Sequence, residues 1–243
     1  MRILALDTST EYCSVALWHD SAVIERCELA GQKHSELLID MLDALLNDAG
    51  IRLAQVDGIA YGKGPGSFTG VRIACGVAQG LAFGANLSVA GICTLEALAE
   101  ASGRPRVIAA LDARMGEIYH AAYEKQEGVW TTVSEPCLCK PEDAPKVGNL
   151  LSAKANAELT PPPVPGDNWF GAGSGFVTHG NALNERYVGQ LLGVDATMVP
   201  QAAVIAALGA VQFLAGNGVD AAQALPLYLR DKVALKTSER VKR

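Results

Sequence analysis

Two short segments carry the residue types that hold phosphate. Asp7-Thr8-Ser9-Thr10 follows directly on the apolar run Ile3–Leu6. Backbone amides and hydroxyls in such a turn can cradle phosphate oxygens, and an aspartate at a strand end can hold Mg²⁺ through water. Asp112 closes a second apolar run, Val107–Leu111, 105 residues further on (112 − 7), and is placed to supply a facing carboxylate. The other segment, Gly62-Lys63-Gly64-Pro65-Gly66-Ser67-Phe68-Thr69-Gly70, joins a strand to a helix. Free amides at a helix start bind anions, which makes Gly64, Gly66 and Ser67 candidate contacts. It is neither a Walker A loop, since no Gly-Lys-Ser/Thr closes it, nor a dinucleotide fingerprint, since Thr69 stands where the third glycine belongs. The competing use of these residues is local: the aspartates cap turns, and Ser67 or Thr69 caps the helix.

Other chemistry is poorly supplied. His19, His34, His120 and His179 include no pair at i, i+4, so no helical zinc pair exists and no metal site is expected. Ser174, in Gly173-Ser174-Gly175, lacks a G-x-S-x-G elbow, and no catalytic residue is assigned. Cys137-x-Cys139 has no second pair and no histidine at zinc spacing, and all six cysteines are expected to be ordinary thiols.

The elements that must position these residues alternate. Ile3–Leu6, Cys13–Trp18 and Ala22–Leu29 are expected as strands, with His19-Asp20-Ser21 as a turn. Leu37, Leu38, Met41, Leu42 and Leu45 fall on one face of a helix that Gly50 stops. A strand at Gly58–Tyr61, a helix over about Gly70–Gly84, a strand at Ser88–Ile92 and a helix at Leu95–Ala101 follow. In the second of these helices Gly76, Gly80 and Gly84 recur every four residues beside Ala74, Ala78 and Ala82. Interior helical glycine costs up to about 1 kcal/mol relative to alanine, so this face is expected to accept a closely packed neighbour.

The opening pattern then returns. Val107–Asp112, a turn, Glu117–Tyr123 and Val129–Val133 repeat the first strand, turn, second and third strands. The chain is therefore expected to fold as two similar lobes: residues 1–105, then 106–215, the second smaller and less regular, with a 216–243 C-terminal segment ending in a basic tail. Asn168–Phe170 is expected as a short strand and Gln201–Ala215 as a helix; the proline run 161–165 is expected as a stiff connection.

At 243 residues with 49% apolar content the chain can bury two such cores. A net charge of −6 excludes a broad basic surface for gripping nucleic acid unaided. No uninterrupted apolar run is long enough for a membrane span, and the N-terminus lacks signal-peptide features, so a cytoplasmic protein is expected.

Several stretches also resemble the TsaB (YeaZ) subfamily of the TsaD-related proteins of tRNA threonylcarbamoyladenosine biosynthesis. Ile3–Thr10 with Cys13–Leu17, Tyr61–Ile73, Leu111–Tyr119 and Pro226–Arg230 carry the resemblance, which is strong over residues 1–124 and weak over 134–200. It implies an α/β, actin-like (ASKHA, RNase H-like) two-lobe fold. It further implies a noncatalytic scaffold that binds and activates a TsaD-like catalytic subunit. That complex, with a TsaE-like ATPase, forms N6-threonylcarbamoyladenosine in tRNAs reading codons that begin with A. Such a chain would reach tRNA only through the complex and dimerise when alone, through N-lobe helices. On this chain that points to Leu37, Leu38, Met41, Leu42, Leu45, Ala74, Gly76, Ala78 and Gly80. No cofactor would be required, although ATP or ADP with Mg²⁺ could sit at the lobe cleft or a subunit interface. An independent ATPase or small-molecule kinase using Asp7 and Asp112 is the alternative, and a glycoprotease-like peptidase a minor one.

Overall fold

The computed structural model describes residues 1–20, 22–148 and 168–230. The proline run and the basic tail beyond residue 230 lie outside the described residues. The first lobe contains β1 (Arg2–Asp7), β2 (Tyr12–His19), β3 (Ala22–Leu29), α1 (His34–Asp48), β4 (Gly58–Gly64), α2 (Phe68–Ala85) and β5 (Val89–Cys93), followed by α3 (Thr94–Ala101). The second contains β6 (Arg106–Asp112), β7 (Ile118–Gln126), β8 (Val129–Cys139), β9 (Trp169–Ala172), α4 (Gly175–Arg186) and β10 (Leu191–Asp195), followed by α5 (Ala202–Leu214).

The two five-stranded sheets have one topology. The orders are β3-β2-β1-β4-β5 and β8-β7-β6-β9-β10, so each strand of one sheet has a counterpart in the other. In both, the first three strands form an antiparallel meander and the last two add in parallel to the first. The duplication expected from the Asp7 and Asp112 repeats is thus present in the strand order.

Both faces of the central strands are covered, which is why they read as continuous apolar runs rather than alternating ones. Leu4 and Leu6 point to α1 and α2, while Ile3 and Ala5 point to α5. In the second sheet Val107, Ala109 and Leu111 meet α3, while Ile108 and Ala110 meet the α4 side. Helices α3 and α5 therefore form a shared layer between the sheets.

This arrangement corrects the lobe boundaries. Helix α5 packs on the first sheet through Ile205, Ala206 and Ala210, and Ala202 N–H donates to Ser14 Oγ at 3.0 Å, although residues 106–215 were expected in the second lobe. Residues 216–230 likewise return to the first lobe: Val219 bridges Val89, and Leu227 N–H donates to the Lys63 carbonyl. The short apolar helix is recognisable in sequence, but its alanine-rich surface fits either sheet. Other differences are local. Strand β8 runs six residues beyond Val133, to Cys139, and α4 and β10 had no sequence expectation. Helix α4 is polar and broken at His179, which adopts a non-helical backbone, so no apolar period announces it.

By length and mean hydropathy α2 is apolar enough to cross a membrane, against the expectation from uninterrupted runs. Its Ala74, Ala78 and Ala82 are nonetheless fully buried against the first sheet, and it carries Arg72 and Gln79.

Candidate functional site

Strand β1 delivers Asp7 to the start of the β1–β2 turn, and that turn meets the glycine-rich loop between β4 and α2. Ser67 N–H donates to the Ser9 carbonyl at 2.7 Å, and Thr8 Oγ1 donates to the Gly70 carbonyl at 2.7 Å. Three loop glycines are filled by the turn itself. A Cβ on Gly62 would lie 1.8 Å from Asp7 Oδ1, one on Gly66 2.4 Å from the Ser9 carbonyl, and one on Gly70 1.8 Å from the Thr8 carbonyl. Ser67 caps α2 by accepting the Gly70 N–H at 3.3 Å, the local use anticipated for it. Gly64, at φ +98 and before a cis peptide to Pro65, turns the loop beneath Val71 and the Leu227 carbonyl.

Asp7 is 1% exposed. Its Oδ2 accepts from Ser9 N–H at 3.1 Å and Ser9 Oγ at 2.8 Å, while Oδ1 has no partner. Burial pushes its carboxyl up to about 6 despite those two bonds. Asp7 therefore serves the turn from beneath and does not line the space between the lobes.

Its counterpart behaves differently. Asp112 N–H donates to Ser174 Oγ at 3.1 Å, and the carboxylate accepts from Arg114 N–H at 2.9 Å and Arg114 Nη1 at 3.1 Å. His179 Nε2 stands 3.8 Å from Asp112 Oδ1. Gly173 and Gly175 pack against the carbonyl and Cβ of Ala110, so this second glycine cluster docks the β9–α4 turn on β6.

Between the lobes lies a cleft of about 790 Å³. Of the candidate phosphate contacts, Ser9, Thr10, Gly66, Ser67 and Asp112 line it, and Asp7, Thr8 and Gly64 do not. Gly66 and Gly70 are filled by the backbone of Ser9 and Thr8, and Asp7 Oδ1 faces Gly62, so the two aspartates do not face each other across the cleft. Among the described residues no three His, Cys, Asp or Glu side chains gather as a metal site.

A C-terminal strap crosses the cleft, and no motif in the sequence announces that role. Tyr61 Oη accepts Leu225 N–H at 3.0 Å, and Arg72 Nε donates to Tyr228 Oη at 2.6 Å with its guanidinium 3.4 Å above the Phe68 ring. On the opposite lobe Arg230 donates to the Ala113 carbonyl at 3.0 Å and pairs with Glu117 at 2.7 Å. The strap's Pro226–Arg230 stretch is one that carried the family resemblance.

The expected partner interface divides cleanly. Leu38, Met41, Leu42, Leu45, Ala74 and Ala78 are at most 5% exposed and form the core beneath the first sheet, so they are removed from any surface; Leu37 is half-buried beside them. A regular apolar stripe on a helix marks its own core face first. Gly76 and Gly80 lie on the opposite, outward face of α2. A Cβ added at Gly76, Gly80 or Gly84 would meet nothing within 4 Å among the described residues. Phe83 beside them is 83% exposed, and Ile73 and Val77 complete the face, half-buried.

Two lobes of one topology, each opened by an Asp-ended strand and turn and joined across a cleft, define an α/β protein of actin-like arrangement. Residues 26–237 match the family model described as TsaD, tRNA N6-adenosine threonylcarbamoyltransferase. The tRNA threonylcarbamoyladenosine biosynthesis protein TsaB of Escherichia coli is 38% identical over 241 residues, covering 97% of each chain. The protein of the same description from Haemophilus influenzae is 35% identical over 248 residues, covering 97% of this chain and 96% of its own. The solved structure of YeaZ from Pseudomonas aeruginosa superposes with a TM-score of 0.79 at 38% identity, covering 94% of this chain and 99% of that one. The chain belongs to the TsaB (YeaZ) family.

Proposed function

We propose that this protein acts in tRNA threonylcarbamoyladenosine biosynthesis as a noncatalytic subunit that docks on and activates a TsaD-like catalytic subunit. The observation that carries the reading is the outward face of α2. Three glycines at four-residue spacing meet no neighbour among the described residues, and a phenylalanine beside them is 83% exposed. Interior glycine weakens a helix, and here no neighbour among the described residues makes use of the missing side chains. A partner helix lying close against a flat, apolar strip would.

The same face serves self-association when the catalytic subunit is absent. A TsaE-like ATPase joins the assembly, and tRNA is reached only through it, in keeping with the net charge of −6. The function requires no cofactor bound to this chain, and the reading places it in the cytoplasm. The filled glycine loop and the buried Asp7 weigh against an independent ATPase at the lobe-one turn.

Reconstituted tRNA modification tests the proposal. Omitting this chain should abolish or strongly reduce product, and full turnover without it would sink the scaffold role. Gly80→Arg and Phe83→Asp should fold normally yet lose co-purification with the TsaD-like subunit. A charge at Leu42, 3% exposed, would test folding rather than docking. Retained association of both surface variants would place the interface elsewhere.

A further inference from the structure

Leu227, Tyr228, Leu229 and Arg230 of the C-terminal strap line the cleft, and the strap is held by both lobes with unequal means. We propose that the strap is a latch that keeps the lobes closed over the cleft, with Arg230 on Glu117 as the catch that releases.

On lobe one the grip is spread over several groups. Gln79 Nε2 donates to the Ala224 carbonyl at 3.0 Å, and Leu225 N–H donates to Tyr61 Oη at 3.0 Å. Leu227 N–H donates to the Lys63 carbonyl at 2.7 Å. Arg72 Nε donates to Tyr228 Oη, whose ring lies 6.1 Å from that of Phe68. On lobe two the polar grip, among the described residues, is the Arg230 guanidinium. Its Nη2 donates to the Ala113 carbonyl at 3.0 Å and pairs with Glu117 Oε2 at 2.7 Å, and its Nη1 lies 3.5 Å from Met115 Sδ. The Arg230 and Glu117 side chains are 15% and 30% exposed, so water screens this pair less than a pair on the open surface.

The strap has little slack. Three residue steps separate the Leu227 amide from Arg230, a reach of at most about 11 Å when fully extended. While both ends are held, that reach caps how far the lobes can part at the cleft. The lobe-two end is the one to yield, because one side chain holds it and several groups hold the other.

The catch also grips a strained turn. Arg114 (φ 62) and Met115 (φ 57) are successive non-glycine residues in the left-handed region, between β6 and β7. The counterpart β1–β2 turn of lobe one contains no positive-φ residue. Left-handed backbone is costly for a residue with a Cβ and persists only where its surroundings over-determine it. Here the Asp112 carboxylate accepts from Arg114 N–H and Nη1, and Arg230 clasps both flanks of the turn, at Ala113 and Glu117. Removing the clasp frees the turn to relax as the strap lets go, which favours two discrete arrangements over a graded one.

The test uses the full chain carrying spin labels at Glu11→Cys and Val177→Cys. These exposed positions stand on the two walls of the cleft. Cys27, Cys137 and Cys139, the cysteines that are not buried, are replaced by serine. Pulsed electron spin resonance should read one narrow distance in this parent. Arg230→Ala should add a second, longer distance. Glu117→Gln breaks the same pair without touching the strap and should do likewise. Hydrogen exchange at the Ala113 and Glu117 amides should quicken at least about tenfold in both variants, while α1 amides keep their rates. Circular dichroism identifies a variant that fails to fold, and the other then decides. Distances unchanged in a folded variant, or exchange that rises equally along the whole chain, would overturn the latch.

Discussion

Glycines 62, 66 and 70 and glycines 76, 80 and 84 lie within one loop–helix unit, yet their surroundings are opposite. A side chain at any of the first three would strike the β1–β2 turn, whereas a Cβ at any of the second three would meet nothing within 4 Å among the described residues. The first set is explained inside the molecule: without Cβ atoms, loop and turn come into backbone contact and exchange the Ser67–Ser9 and Thr8–Gly70 hydrogen bonds. Among the described residues no neighbour explains the second set. A glycine that costs helix stability, with no described neighbour to use the space, is the observation behind the docking face proposed above.

The largest effect should come from forcing the first set to behave like the second. Gly70→Ala places a methyl 1.8 Å from the Thr8 carbonyl, and neither backbone can yield cheaply. A loss of more than about 3 kcal/mol, or failure to fold, is expected in urea denaturation. A midpoint within experimental error of the parent would show that the loop can part from the turn.

Asp7→Asn probes the same packing more gently. The Asp7 pKa rises from the model-peptide value of 3.8 to about 6 on folding, so the native state binds the proton more tightly. Its stabilising contribution is complete below about pH 4 and is lost as pH rises through 6. The substitution should therefore raise stability at pH 7.5 by up to about 3 kcal/mol and change it little at pH 4. Denaturation at both pH values checks this, and an equal effect at the two would assign the change to shape rather than charge.

The smallest effect belongs to the outward set. Gly76→Ala and Gly80→Ala should each stabilise the free chain by up to about 1 kcal/mol, read from thermal unfolding. Both should weaken association with a TsaD-like subunit. Destabilisation of the isolated chain would mean that these glycines serve its own fold, and the contrast between the two sets would collapse.

Much of the architecture was legible because it is local. Ile3–Leu6 with Asp7 and Val107–Leu111 with Asp112 announce themselves as buried strands ending at turns, and the structure gives both sheets the same order. Helix α4 was invisible because its residues are mixed in polarity and its backbone breaks at His179. The site was only half legible. Ser9, Thr10, Gly66, Ser67 and Asp112 do line the cleft, but Ser174 and Arg230 come from segments with no motif that names a partner. The leucine stripe of α1 was readable as a buried face without showing what buries it, and that turned out to be the chain's own sheet.

The amino-acid sequence by itself determined the repeated strand–aspartate–turn, the helical stripes, the acidic balance and the family to which the chain belongs. Periodicity, turn chemistry and charge act over a few residues, or sum without regard to position. Only the tertiary structure decided that Asp7 is sealed while Asp112 borders the cleft, that α5 returns to the first sheet, and that one set of glycines is filled and the other open. Each of those outcomes depends on which distant atom occupies the space beside a residue, and that space is created only when the sheets, the helices and the C-terminal strap have packed.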